Sequence, residues 1–402
     1  MNPHFLHLYD MLSKVDGYIY PNEIELNWSI LIVLYPYITG LVAGAFILAS
    51  LERVFKVRVL RPTYTIALIT ALAFLLVATM PLISHLGKPL RFFEIMITPH
   101  LTSAMAIFGY VYIWYLMVVL LLEIWFDYRR DLVLWSQEKT GFMKHVYKIL
   151  TLGVKDISPK ALKWDDRLGY AITVIGIPSA FLLHGYVGFI FGSVKANPWW
   201  STVLMPVIFI FSAMVSGIAL VMFVYMMINY IRKKLIDMVC LDTIAKFLLV
   251  ALILDFALEG LDQIHRIYEA EESFQILDLL VKGKLTYTLF IFQWGMGMLV
   301  PILTLAYLQM FKSNARLRRI LYLISSALVL IGIFFMRWNV VIGGQLFSKS
   351  LVGFTTFKLK LIGSEGILMT VVWLVVPFLI LIFLLWLLPP WKRHPEEATS
   401  DK

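Results

Sequence analysis

His184 stands inside an apolar run, flanked by Leu183 and Gly185, and an imidazole placed there is far from water. Asp255 and Glu259 interrupt another such run four residues apart, a spacing that sets both carboxyls on one helix face. Two carboxylates that close repel when both are ionised, so one of them holds a proton or a cation such as an arginine pairs with them. Other runs carry their own polar side chains. Tyr35, Tyr37 and Thr39 share one run; Ser84, His85, Arg91 and His100 lie between two others. Tyr186 follows His184, and Gln293, Trp294, Arg337 and Asn339 fall further along. These imidazoles, carboxyls, phenols and a guanidinium are groups that hold and pass protons or hydrogen-bond a ligand in a low-dielectric site.

The elements that position them follow from composition. Of 402 residues, 60% are hydrophobic and 15% charged, against roughly 45–50% and about 25% in soluble domains. That balance excludes a soluble enzyme, a disordered chain and a disulfide scaffold. The apolar residues crowd into runs of about twenty or more, long enough to cross about 30 Å of hydrocarbon. A membrane β-barrel instead shows alternating segments of about ten residues. The sequence predicts an all-α polytopic membrane protein with about nine spans, near residues 28–51, 62–84, 101–124, 167–192, 202–229, 243–264, 286–311, 318–337 and 367–388. The sixth is the one broken by Asp255 and Glu259. Residues 337–366, rich in Gly and Lys, read as a long loop whose re-entrant course is left open. With no repeat or low-complexity tract, 28–388 reads as a single transmembrane domain between an outer arm, 1–27, and a tail, 389–402. The first apolar run is too long for a signal peptide and lacks a cleavage site of small residues.

Lys and Arg are spread unevenly over the connections. The odd-numbered ones (51–61, 125–166, 230–242, 312–319) and the tail carry 22; the arm and the even-numbered ones (85–100, 193–201, 265–285, 337–366) carry 11. The positive-inside rule then places the N-terminus outside and the C-terminus in the cytoplasm, for a protein of the cytoplasmic (inner) membrane. The net charge of +9 reports topology in lipid, not affinity for nucleic acid. In this orientation the polar residues named above gather near the outer surface, and the inner halves are mostly Leu, Ile, Val and Phe. The expectation is a pocket at the outer interface with aromatic walls. It suits an apolar ligand with two polar ends that exchanges protons, as a quinone does.

Blander readings stand beside these. His85 and His100 fit headgroup level, Tyr35 and Tyr37 fit an aromatic belt, and Asp255 with Glu259 fit structural pairing to a neighbouring helix. The basic clusters at 51–61 and 316–319 fit topology markers. Cys240 is the single cysteine, and one thiolate cannot hold an iron–sulfur cluster. Bis-histidine haem needs paired imidazoles at mid-depth, and of eight histidines only His184 lies clearly within a span, so neither haem nor an iron–sulfur cluster nor another metal is assigned to this chain. His4, His7, His145 and His394 fall in tails or loops; a pair formed by His85 and His184 stays open.

Four motifs in order resemble one family. The stretch Ser84 to Phe93 after the second span, with His85, Gly87, Pro89 and Arg91, resembles the motif of the NrfD/PsrC-like integral membrane subunits. So does the stretch from His184 through Lys195, Asn197 and Pro198 to Trp200, and so does Tyr35 to Gly44 in the first span. The stretch from Arg337 through Asn339, Gly343 and Gly344 to Gln345 is similar to the branch containing the HybB-type subunits and the P subunit of the Dsr sulfite-reduction-linked complex, the nearest likeness. The resemblance covers essentially the whole chain. It implies eight helices in two four-helix bundles, here with a ninth at the C-terminus, and a quinone-interacting subunit without haem. It implies a ferredoxin-like iron–sulfur subunit docked on the outer face near a quinone pocket in the first bundle, and complexes that include c-type and b-type cytochromes and a cytoplasmic catalytic subunit. The HybB type has a glutamate early in its third span where this chain has Gly109, whereas Glu259 matches a glutamate of the corresponding HybB helix. The HybB type also has a further N-terminal span, which this chain is read as lacking.

The resulting expectation is a menaquinone- or menaquinol-reactive subunit of a respiratory oxidoreductase in sulfur-compound respiration. Tyr37, Thr39, His85, Arg91 and His184 are the expected quinone contacts, and His184 with Glu259 or Asp255 the proton-transfer groups. The rivals are an ion-coupled secondary transporter, for which mid-membrane carboxylates are a signature, and a passive anchor with no quinone chemistry.

Overall fold

Each long apolar run winds into a helix, because a backbone buried in lipid satisfies its N–H and C=O groups only by pairing them internally. The computed structural model describes residues 17–20, 26, 28–269 and 273–393. Most of the 1–27 arm and the tail beyond Arg393 lie outside the described residues, and with them His4, His7 and His394. Nine long helices follow among the described residues: α1 (Ile30–Arg53), α2 (Arg58–His85), α3 (Ala104–Glu138), α4 (Pro159–Gly192), α5 (Met205–Ile231), α6 (Met238–Glu269), α7 (Thr286–Met310), α8 (Ala315–Val341) and α9 (Ile367–Leu387). All but α6 are long and apolar enough to cross a membrane. Lys246, Asp255, Glu259 and Asp262 dilute α6, yet it runs unbroken for 32 residues and lies against α5 and α7. We take it as a ninth span.

Helices α1–α4 form one four-helix bundle and α5–α8 a second; α9 lies outside the first, along α2 and α1. The bundles join chiefly where α1 crosses α5, with α4 on α5 and α1 on α8 adding to the seam. Glycines set that crossing. A Cβ on Gly44 would collide with the Ala213 carbonyl, and one on Gly217 with the backbone of Gly44 and Ala45. Small residues let helix backbones approach closely where lipid supplies no hydrophobic drive. Gly297 on α7 and Gly332 on α8 do the same inside the second bundle.

Two helices outrun the expected ends. α3 continues to Glu138 and α4 begins at Pro159, so much of the 125–166 connection is helical. Hydropathy misses the extension because charged residues interrupt it: Tyr128, Leu132 and Trp135 are buried, and Arg129 and Asp131 are buried beside them in ion pairs. A short helix, Gly141–Leu150, turns back along it. Trp125 donates to the Leu150 carbonyl (3.0 Å) and Tyr147 to that of Leu387 (2.9 Å). At the same end Arg393 reaches Asp127 (2.9 Å) and Asp131 (3.1 Å), and Arg129 pairs with Asp165. We term this basic end inner and the opposite one outer, after the charge count.

Candidate functional site

At the seam between the bundles, four helices bring polar side chains to one point. Thr39 on α1 donates back to the Tyr35 carbonyl (3.0 Å), as hydroxyls in apolar helices do. That leaves its oxygen to accept, and Nδ1 of His184 on α4 lies 3.4 Å away. Nη2 of Arg337 on α8 donates to His184 Nε2 at 2.9 Å and to Ser212 Oγ on α5 at 2.6 Å. A guanidinium only donates. Nε2 must therefore carry the lone pair and Nδ1 the hydrogen, which fixes the tautomer of His184. Both His184 and Arg337 are 0% exposed. Phe209 backs them, its ring 5.5 Å from the imidazole and 4.0 Å from the guanidinium carbon, the latter a cation–π contact. A Cβ at position 40 would sit 3.1 Å from His184 Cε1, so Gly40 leaves room for this junction.

Arg337 also acts electrostatically on Asp255 and Glu259 of α6. Asp255 is 0% exposed, and neither of its carboxyl oxygens has a hydrogen-bond partner among the described residues. Glu259 is 5% exposed; its Oε2 accepts from Gln293 Nε2 and Trp294 Nε1, both at 2.7 Å, while Oε1 has no partner among the described residues. Adjacent residues do not face the same way on an α-helix. Here they do, because Thr286–Leu299 is wound as a π-helix, a local form frequent at functional sites. Asn339 donates to Gln293 Oε1 (2.6 Å) and extends the chain to α8.

The expected site residues are thus distributed over several surroundings. Thr39 and His184 meet, and Asp255 and Glu259 lie within the field of Arg337. Tyr37 points to the second bundle, its hydroxyl donating to Leu330 O (3.2 Å) and its ring edge-on to Phe334. His85 lies at the rim, with Nδ1 2.8 Å from Glu365 and 3.3 Å from Ser29. Arg91 is exposed and forks onto Glu94 at 2.5 and 2.8 Å, which holds the Glu94 carboxyl below its usual range. His100 sits beside Thr102 at the surface. The structure does not bring Tyr37, His85 and Arg91 together with His184.

A different group faces the outer half of the first bundle. Tyr35 is buried, its hydroxyl has no partner among the described residues, and its ring meets Phe108 edge-on at 5.3 Å. Phe108 in turn stacks on Tyr186 of α4. Between α1, α3 and α4 there is thus a cluster of packed aromatic rings with one unspent donor. Tyr35 also lies one turn from Thr39, which leads to His184.

The inner halves are less uniformly apolar than the sequence reading expects. Glu123 on α3 is fully buried and accepts from Thr173 (2.8 Å) and Tyr64 (3.3 Å), and Arg53 donates to Tyr64 (2.7 Å). Its signal is plain once the fold is known: one carboxylate among Leu120, Leu121, Leu122, Ile124 and Trp125. Arg337 is visible in the sequence as a polar residue ending a span, but its partners lie more than a hundred residues away along the chain.

Outside the membrane ends, the loop before α5 is stapled down. Trp199 and Trp200 donate to the Asn339 and Val340 carbonyls (2.9 and 2.6 Å). Arg266 donates to the Pro198 and Trp199 carbonyls and pairs with Asp262 at 3.0 Å.

Fold and junction together define a polytopic helical membrane protein with hydrogen-bonded polar side chains buried between its helices. The chain belongs to the NrfD family, described as polysulphide reductase, NrfD, which it matches over residues 21–349. It is 30% identical over 330 residues to the C subunit of a selenate reductase from Mesobacillus selenatarsenatis, covering 79% of this chain and 73% of that one. It is 26% identical to the putative membrane C subunit of a dimethyl sulfoxide reductase from Halobacterium salinarum, over 70% of this chain and 61% of the relative. With protein NrfD of Escherichia coli it shares 27% identity over 48% of this chain and 58% of the other.

Proposed function

We propose that this chain is the quinone- or quinol-reactive subunit of a multi-subunit respiratory oxidoreductase. In this reading it sits in the cytoplasmic membrane with its N-terminus outside. It exchanges electrons between menaquinone and a ferredoxin-like iron–sulfur partner on the outer face, in the respiration of sulfur compounds or of related oxyanions. The relatives named as reductase subunits favour a multi-subunit oxidoreductase complex. The observation that carries the reading is the Tyr35 hydroxyl, buried without a partner among the described residues, in the Phe108–Tyr186 cluster and one turn from the His184 junction. An unpaired buried hydroxyl is costly. Tyr35 would hold a quinone by donating to a carbonyl, with Phe108 and Tyr186 supplying apolar contact to the ring.

Quinol oxidation releases two electrons and two protons, and the reverse reaction takes them up. The chain's own part is to handle the protons and exclude water. His184 Nδ1 donates to Thr39, which donates in turn to the Tyr35 carbonyl and so ties the imidazole to the Tyr35 turn of α1. His184 Nε2 takes a proton only when Arg337 releases it, so Arg337 gates the imidazole. Asp255 and Glu259 are the next carriers, because Arg337 faces them when it turns from His184. His85 and Arg91 sit on the rim, where they fit a role in partner docking as well as in ligand approach; Tyr37 ties the first bundle to α8.

In the intact complex, His184→Ala is expected to lower quinol oxidation by about 10²-fold or more, the usual share of a proton-transfer group. An unchanged rate removes His184 from the pathway. The unpartnered Asp255 carboxyl also favours an ion-coupled transporter. Purification separates the two: a transporter runs alone, while this subunit brings iron–sulfur and cytochrome subunits with it.

A further inference from the structure

The outer ends of α5–α8 enclose a cleft in the second bundle, away from the Tyr35 cluster. It is lined by Trp199, Met205, Glu259, Gln293, Trp294 and Asn339 among others, and Asp262, Gln263 and Arg266 stand at the same outer ends. Its cavity is about 40 Å³, room for about three water molecules and too small for a quinone ring.

We propose that this cleft takes up one positive charge at Glu259 and Asn339, either a sodium ion held by both or a proton on the Glu259 carboxyl. Both residues are over nine-tenths buried, and each keeps one acceptor oxygen, Glu259 Oε1 and Asn339 Oδ1, without a partner among the described residues. The donors of four neighbours are engaged elsewhere. Gln293 Nε2 and Trp294 Nε1 are committed to Glu259 Oε2, and Asn339 Nδ2 to Gln293 Oε1. Arg266 is committed to Asp262 and to two carbonyls of the α4–α5 loop. The two open oxygens are acceptors, and they suit a guest that brings positive charge or donors of its own. The Gln293 amide grips Glu259 with one end and Asn339 with the other, which fixes the two acceptors relative to each other. A cation seated there repels Arg337, whose field reaches Glu259. Occupancy of the cleft is thus coupled by charge to the His184 junction.

The proposal stands apart from quinone binding, which is measured on the same preparations as an independent readout. The purified complex in lipid nanodiscs is titrated with sodium chloride against choline chloride at constant ionic strength and followed by ²³Na NMR. Its infrared carboxyl C=O band is recorded in H₂O and D₂O. Saturable sodium binding that Glu259→Gln abolishes and Asn339→Ala weakens at least tenfold identifies sodium. No sodium binding, with a D₂O-sensitive carboxyl band that Glu259→Gln removes, identifies the proton. Should Glu259→Gln fail to assemble, Glu259→Asp keeps the charge, and a shift of the same signal serves instead. Sodium binding indifferent to these changes, or neither signal in the wild-type complex, overturns the proposal.

Discussion

Arg337 orders the candidate site more than any other side chain. It donates to His184 Nε2, holds Ser212, lies over Phe209 and supplies positive charge to Asp255 and Glu259. Removing one member of a buried charge set leaves the others uncompensated, which costs about 3–5 kcal/mol. Arg337→Leu is therefore expected to lower the thermal stability of the purified subunit by that order and to abolish turnover. Arg337→Lys is expected not to restore it, since an ammonium lacks the planar face that lies over the Phe209 ring and is more strongly hydrated. Thermal unfolding of the three forms in detergent checks this; equal stability of wild type and Arg337→Leu contradicts the assigned role. At this scale the sequence is partly legible. A histidine or carboxyl in an apolar run announces itself, and so Thr39, His184, Asp255 and Glu259 stand out. What it hides is pairing: Tyr37 and Thr39 sit two residues apart on α1, yet one meets α8 and the other His184.

Among the elements, two devices place the site. The first is the glycine crossing of α1 and α5, which brings Thr39 and Ser212 into reach of the same His184–Arg337 pair. Gly217→Leu is expected to force the helices apart, at about 1–3 kcal/mol or more for an overpacked contact. The outcome is a subunit that co-purifies poorly with its partners; normal assembly and turnover argue against a close crossing. The second is the π-wound first half of α7, which turns Gln293 and Trp294 onto one carboxylate oxygen. Neither feature shows in hydropathy, which marks where a helix runs but not which neighbour it touches. The same blindness hides the extension of α3, whose charged residues read as a loop although Arg129 and Asp131 are buried in ion pairs.

For the whole molecule, the nine runs and two bundles are legible because lipid permits so few backbone solutions. The depth of each polar group rests on orientation, which rests on the charge count. In a Cys240→Ser background, Leu90→Cys is expected to react with a membrane-impermeant maleimide added outside intact cells, and Lys148→Cys only after lysis; both positions are exposed. The reverse pattern inverts the topology and moves the iron–sulfur partner to the cytoplasmic face. With the expected pattern, the stapled Asn197–Trp200 loop lies on the partner's side. In the proposed reading a subunit docked there connects through Trp199 and Asn339 to Gln293 and Glu259.

Photolabelling of the intact complex with an azido-menaquinone analogue tests the central claim most directly. The account predicts label, displaced by excess menaquinone, on peptides from the outer halves of α1, α3 and α4, and about tenfold weaker labelling in Tyr35→Phe, the worth of roughly one hydrogen bond. Label confined to α6–α8, or label that excess quinone does not displace, contradicts it.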